Sequence, residues 1–147
     1  MRSNIILAAL IAAVSINPAA AASPALKLDK CAPGQPRSER ENCVVDGDTL
    51  WLDGENIRLK DFDTPEPMTA ICGGDAEKAL AHKASARLLD LLNNNAWTIE
   101  RFGHERKGKG KRTLATISIA GRDVGDILIS EGLARRWPDG PEFWCNR

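Results

Sequence analysis

The fold is constrained most by residues 44–66, where two runs of strand-forming side chains sit beside a crowd of acidic residues. Val44, Val45, Leu50, Trp51 and Leu52 make the first run, and Ile57, Leu59 and Phe62 the second. They predict strands over residues 43–52 and 56–62. Asp53-Gly54-Glu55 between them supplies the glycine that a hairpin turn wants. Pro65 and Pro67 then stop the second strand, because proline cannot donate to a ladder. Asp46, Asp48, Asp61, Asp63 and Glu66 fall at the strand ends. Each alone suits a turn. So many carboxylates beside one core nevertheless need a compensating charge, since an unpaired buried charge costs several kcal/mol.

The remainder follows the same α+β logic. Residues 23–42 are rich in proline, charge and small side chains, show no period, and read as an extended lead-in. Ala76, Leu80, Ala84, Leu88 and Leu91 recur at helical spacing, so an amphipathic helix is expected from Asp75, its N-cap, to Asn93-Asn94-Asn95. His82 is a surface or boundary residue of that helix. Strands are expected at residues 96–101 and 113–119, with Ala115, Ile117 and Ile119 on one face. A second helix is expected at 124–131, ended by Gly132. The tail carries Trp137, Trp144 and Cys145. A chain of 147 residues makes one domain. This order of elements suits a five-stranded barrel of the OB type with flanking helices, an α+β fold that is mainly β.

Residues 1–22 have the layout of a secretory signal peptide: Arg2 in a short positive start, an apolar run over residues 5–16, and small residues before a cleavage point near Ala22. The expected divisions are therefore a leader (1–22), a lead-in (23–42) and a folded domain (43–147). Export leads to a secreted or periplasmic protein without stable membrane association. Loss of Arg2 leaves a net charge of −1, so attraction to a polyanion must come from a local patch. Cys31, Cys43, Cys72 and Cys145 form no CxxC pair, which argues against zinc. Two disulfides fit an oxidising compartment. Of the three possible connectivities, Cys31–Cys43 with Cys72–Cys145 is favoured, which staples the chain ends to the core.

Grouped carboxylates supply oxygen ligands to a hard cation such as calcium or magnesium. Arg58 can pair with them on the surface or grip a phosphate in bidentate fashion. Residues 106–112 carry five positive charges and two glycines; the charges steer a polyanion and the glycines let the backbone approach it. A cation, two arginines and a free carboxylate together are what phosphodiester hydrolysis requires.

In Val45-Asp46-Gly47-Asp48-Thr49, Ile57-Arg58-Leu59, Asp63-Thr64-Pro65-Glu66, Arg112-Thr113-Leu114-Ala115 and Glu131-Gly132-Leu133-Ala134, the chain resembles the staphylococcal nuclease (thermonuclease) family. The resemblance implies an OB barrel with helices and a secreted calcium-dependent phosphodiesterase. It makes Asp48 and Asp63 the calcium carboxylates, and Thr64 the donor of a main-chain carbonyl. Glu66 becomes the general base or water-orienting residue. Arg58 and Arg112 bind the scissile phosphate. The implied substrate is DNA or RNA, single-stranded or denatured, cut to 3′-phosphate products by a monomer. Two departures stand out. Gly108-Lys109-Gly110-Lys111-Arg112 replaces the family's Asp-x-Tyr-Gly-Arg, and the chain has no tyrosine to build a nucleotide pocket. Trp137 is then either a substitute stacking surface or a packing aromatic. The alternatives are a non-catalytic OB-fold nucleic-acid-binding module and a cell-envelope or exopolysaccharide accessory protein.

Overall fold

The computed structural model describes residues 26–67, 72–105 and 111–145. The expected leader, the start of the expected lead-in and residues 106–110 of the basic loop lie outside the described residues. The first half holds β1 (Asp29–Lys30), β2 (Cys43–Val44), β3 (Thr49–Leu52), β4 (Glu55–Leu59), β5 (Phe62–Asp63) and α1 (Gly74–Asn94). The second half holds β6 (Trp97–His104), β7 (Thr113–Ile119), β8 (Arg122–Asp123), α2 (Val124–Ser130) and β9 (Arg135–Arg136).

Asp53 and Gly54 have φ of 49° and 76°, the left-handed pair that a two-residue hairpin turn demands. They close β3 onto β4 with Leu52 opposite Glu55. The strand expected over residues 43–52 is itself a hairpin. The chain reverses at residues 45–48, so that Cys43 lies opposite Trp51 and Val44 opposite Leu50. Asp, Gly and Asp are poor strand residues, and the Asp46 carboxylate accepts from the Asp48 amide at 3.1 Å, an Asx turn that competes with a ladder. The second expected strand also divides. β4 ends at Leu59, Asp61 takes a φ of 71°, and β5 turns away to pair with β9.

The main sheet runs β1-β2-β3-β4-β7-β6, with β8 added to β7. β4 and β7 are parallel. This mixed sheet with two helices is the α+β, OB-like arrangement; its turns divide the strands more finely than five. Leu50, Ile57, Leu59, Ala115 and Ile117 from the strands are buried against Leu88 and Leu92 of α1 and Val124 and Leu128 of α2.

The buried face of α1 carries Glu77, Ala81, Ala84, Ser85, Leu88, Leu91 and Leu92. Ala76 is exposed and Leu80 only partly buried, so the first turn faces differently from the apolar spacing. The N-cap is Gly73 rather than Asp75. Glu77 reaches back instead, accepting from the Gly73 amide at 2.8 Å and the Cys72 amide at 3.2 Å. The asparagines do end the helix: Asn94 and Asn95 bond to the carbonyls of Asp90 and Leu91. Asn93 brackets the backbone of buried Leu28, which ties the lead-in to the core. The lead-in also forms β1, parallel to β2.

Both favoured disulfides form, Cys31–Cys43 and Cys72–Cys145. Their sequence separations are 12 and 73. By the chain-entropy model, replacing the first pair with alanine costs about 3 kcal/mol and the second about 4 kcal/mol. Urea unfolding of the two double variants checks that order.

Candidate active site

The turn at residues 45–48 carries Asp48 into the protein, where it is 2% exposed. Gly47 makes that path possible. A Cβ there would lie 2.6 Å from Thr64 Cγ2 and 2.9 Å from Ala84 Cβ, so the turn can lie against α1 and the residue-64 segment only without a side chain. Arg58 stands opposite Thr49 in the β3–β4 ladder, which brings its guanidinium beside Asp48. One nitrogen, Nη2, lies 3.1 Å from Asp48 Oδ2 and 3.3 Å from Asp63 Oδ1.

Asp63 is held from its other side. It faces Arg135 across the β5–β9 ladder, and Arg135 Nε and Nη2 lie 3.0 and 2.9 Å from Asp63 Oδ2. Arg135 also reaches Glu142 at 2.9 Å and donates to the Gly140 carbonyl at 2.7 Å. Nothing in the sequence pattern singles out Arg135 from its neighbour Arg136. Only the ladder separates buried Arg135 from exposed Arg136. The Arg135 guanidinium stacks 5.0 Å from the Trp137 ring, and Trp137 is 53% exposed. Trp137 is thus a surface aromatic rather than a packed one.

Thr64 and Glu66 line a cavity of about 180 Å³ together with Asp63, Glu77, Glu142 and Trp144. The Glu66 amide approaches Glu77 Oε1 at 3.5 Å. Glu77 therefore anchors both ends of the loop that bears Glu66, a role invisible in a helix pattern. The Glu66 carboxyl titrates above the ordinary glutamate range, first because burial disfavours its charge and then because Asp46 repels it. Asp48 is pushed up further, by burial and then by Asp46, against the opposing pull of Arg58. Arg58 is raised overall: burial lowers it, but Asp48, Asp46 and Asp63 outweigh that.

Arg112 sits at the edge of the same network. Its Nε and Nη2 hold Glu105 at 2.7 and 2.8 Å, while Nη1 reaches Thr49 Oγ1 at 3.4 Å. Thr49 in turn donates to Asp48 Oδ1 at 3.0 Å. The structure thus joins Asp48, Arg58 and Asp63 directly, places Thr64 and Glu66 on the adjoining cavity, and links Arg112 through one hydroxyl. Asp46 acts as the turn residue expected of it, and Asp53 and Asp61 hold left-handed turn positions. Glu105 and Thr49 were not read as site residues, because their partners lie across strands.

The donor set suits a hard cation. Asp48 and Asp63 offer carboxylate oxygens and converge on a single guanidinium nitrogen, the oxygen chemistry that such a cation takes. Among the described residues one further group has metal-ligand spacing, Cys72, Glu142 and Cys145, but its two sulfurs are bonded to each other.

The profile of the family described as staphylococcal nuclease homologue matches residues 56–141. The chain is 30% identical over 96 residues to the SPbeta prophage-derived endonuclease YokF of Bacillus subtilis (strain 168), a match covering 63% of this chain and 31% of that protein. It is 29% identical over 96 residues to Endonuclease YncB of the same organism, covering 63% of this chain and 44% of that protein. The chain thus spans less than half the length of either relative.

Arg135→Ala leaves the half-buried Asp63 without one of its two cations and should lower unfolding free energy by about 3 kcal/mol. Arg136→Ala, at an exposed pair, should cost about 1 kcal/mol or less. Denaturant titration of both variants reads the difference.

Proposed function

The chain belongs to the staphylococcal nuclease homologue family, and from that premise we propose that it is an exported, calcium-dependent nuclease hydrolysing DNA or RNA to 3′-phosphate products. The observation that carries the reading is the single Arg58 nitrogen shared by Asp48 and Asp63, beside a cavity that Glu66 lines. The two relatives bear the name endonuclease, which supports the same activity here.

Asp48, Asp63 and the Thr64 carbonyl would hold calcium, which when bound polarises the phosphoryl group. Glu66 does the proton work. Its raised pKa brings a carboxylate closer to neutrality, where it accepts a proton efficiently from an attacking water. The water oxygen bonds to phosphorus as the P–O5′ bond breaks, and the departing 5′ oxygen takes a proton from solvent. Arg58 offsets charge on the phosphate oxygens. Arg112 does the same once a phosphate competes with Glu105 for its guanidinium. The substrate is proposed to be single-stranded or denatured DNA or RNA. The two disulfides support an oxidising, secreted or periplasmic location. Among the described residues no helix is long and apolar enough to cross a membrane. The protein is proposed to act as a monomer.

The bidentate hold of Glu105 on Arg112 favours a second reading, a nucleic-acid-binding module in which Arg112 never reaches a phosphate. Digestion of denatured DNA in millimolar calcium decides between them. Cleavage should vanish with a chelator and fall on the order of 10² to 10³-fold in Glu66→Gln and Arg112→Ala. Rates indifferent to the chelator and to both variants, or binding without cleavage, overturn the catalytic reading. Independently, 10 mM calcium should stabilise the fold by about 1.4 to 2.7 kcal/mol if the affinity is that of a typical extracellular module. Calorimetry should find that gain missing in Asp48→Asn.

A further inference from the structure

A second cavity, of about 300 Å³, lies between the lead-in loop, the Asp46 turn and the flank of α1. Lys30, Ala32, Arg40, Asp46, Glu66 and His82 are among its walls. Glu66 therefore lines both cavities, standing between the acidic site and this neighbour. The larger cavity is mainly apolar, its volume is at the lower end of small-molecule sites, and a few polar groups converge on it, the general character of a ligand pocket.

Its walls are built rather than incidental. The Cys31–Cys43 disulfide and the parallel β1–β2 pairing fix one side. Arg40 Nε and Nη2 both grip the Gln35 carbonyl, at 3.1 and 2.9 Å, which closes the lead-in loop on itself. The Lys30 ammonium donates to the Val45 carbonyl, tying that loop to the turn that carries Asp48. The opposite wall is α1, with His82 exposed upon it.

We infer that this cavity is a nucleoside subsite, receiving the base and sugar of the substrate nucleotide next to the scissile phosphate. A strand whose phosphate occupies the acidic site must place a neighbouring nucleoside within one linkage of Glu66, and this cavity opens there. The apolar walls accept the base face, and Lys30 and Arg40 balance the carboxylates of Asp46 and Glu66 on the same walls. This inference rests on the nuclease reading above.

The test fills the cavity from two sides, with Ala32→Trp on the lead-in and His82→Trp on α1; Lys83→Trp, on α1 but outside these walls, is the control. On a short single-stranded DNA oligonucleotide, both filling variants should raise KM about tenfold, the loss of one base contact. Their kcat should stay within about a factor of two and their melting temperatures unchanged, and the control should match wild type. Unchanged KM in both filling variants overturns the subsite while leaving the nuclease reading intact. Absence of cleavage by the wild-type protein overturns the nuclease reading. Anisotropy of a labelled oligonucleotide then judges the subsite alone: weaker binding in both variants supports it, and equal binding overturns it.

Discussion

A buried carboxylate is the constraint on which the rest of this structure depends. Asp48 is almost fully enclosed, and a charge removed from water persists only when paired and hydrogen-bonded. Arg58 supplies the charge, Thr49 a hydroxyl, and Asp46 fixes the backbone beneath it. Thr49 and Asp46 are its near neighbours in the turn, whereas Arg58 is brought to it by a ladder. The β3–β4 hairpin sets Arg58 opposite Thr49, and β7, parallel to β4, begins just beyond Arg112. The local sheet registers therefore follow the needs of one buried carboxyl group as well as those of the apolar core.

The C-terminal tail extends this arrangement. Arg135 joins Asp63 to Glu142 and to carbonyls of the tail, while Cys72–Cys145 ties the same tail to the loop before α1. Glu77 anchors that loop from inside the helix. The segment bearing Thr64 and Glu66 is thus held at both ends and from beneath. In the proposed mechanism such holding matters, because displacements of about 1 Å at a reacting group cost large factors in rate.

Much of this was legible in the residues. Asp53-Gly54 could only be a tight turn, the helical spacing over residues 76–91 could only be an amphipathic helix, and Ala115 and Ile117 fell on the buried face by strict alternation. Two misreadings share one cause. Apolar residues on either side of Asp46-Gly47-Asp48 looked like one strand, because strand propensity says nothing about a side chain's hydrogen bond to its own backbone. Asp75 looked like a cap because it precedes the apolar spacing, yet Glu77 meets the amides from within the first turn. Trp137 could have packed inside; the tail's course leaves it against Arg135 and solvent.

The sequence by itself determined the inventory: a mainly β fold with two helices, even-numbered cysteines, and carboxylates and an arginine grouped near the ends of the first strands. Those conclusions depend on local properties, namely period, turn preference and charge, which a linear chain already displays. Tertiary structure alone decided who partners whom. Arg135 reaches Asp63 across 72 positions and Arg112 reaches Thr49 across 63, and Glu66 comes to stand between two cavities. Ion pairing falls off over a few ångströms while sequence separation sets no such limit, so only the folded ladders could select these pairs from the many that charge alone would allow.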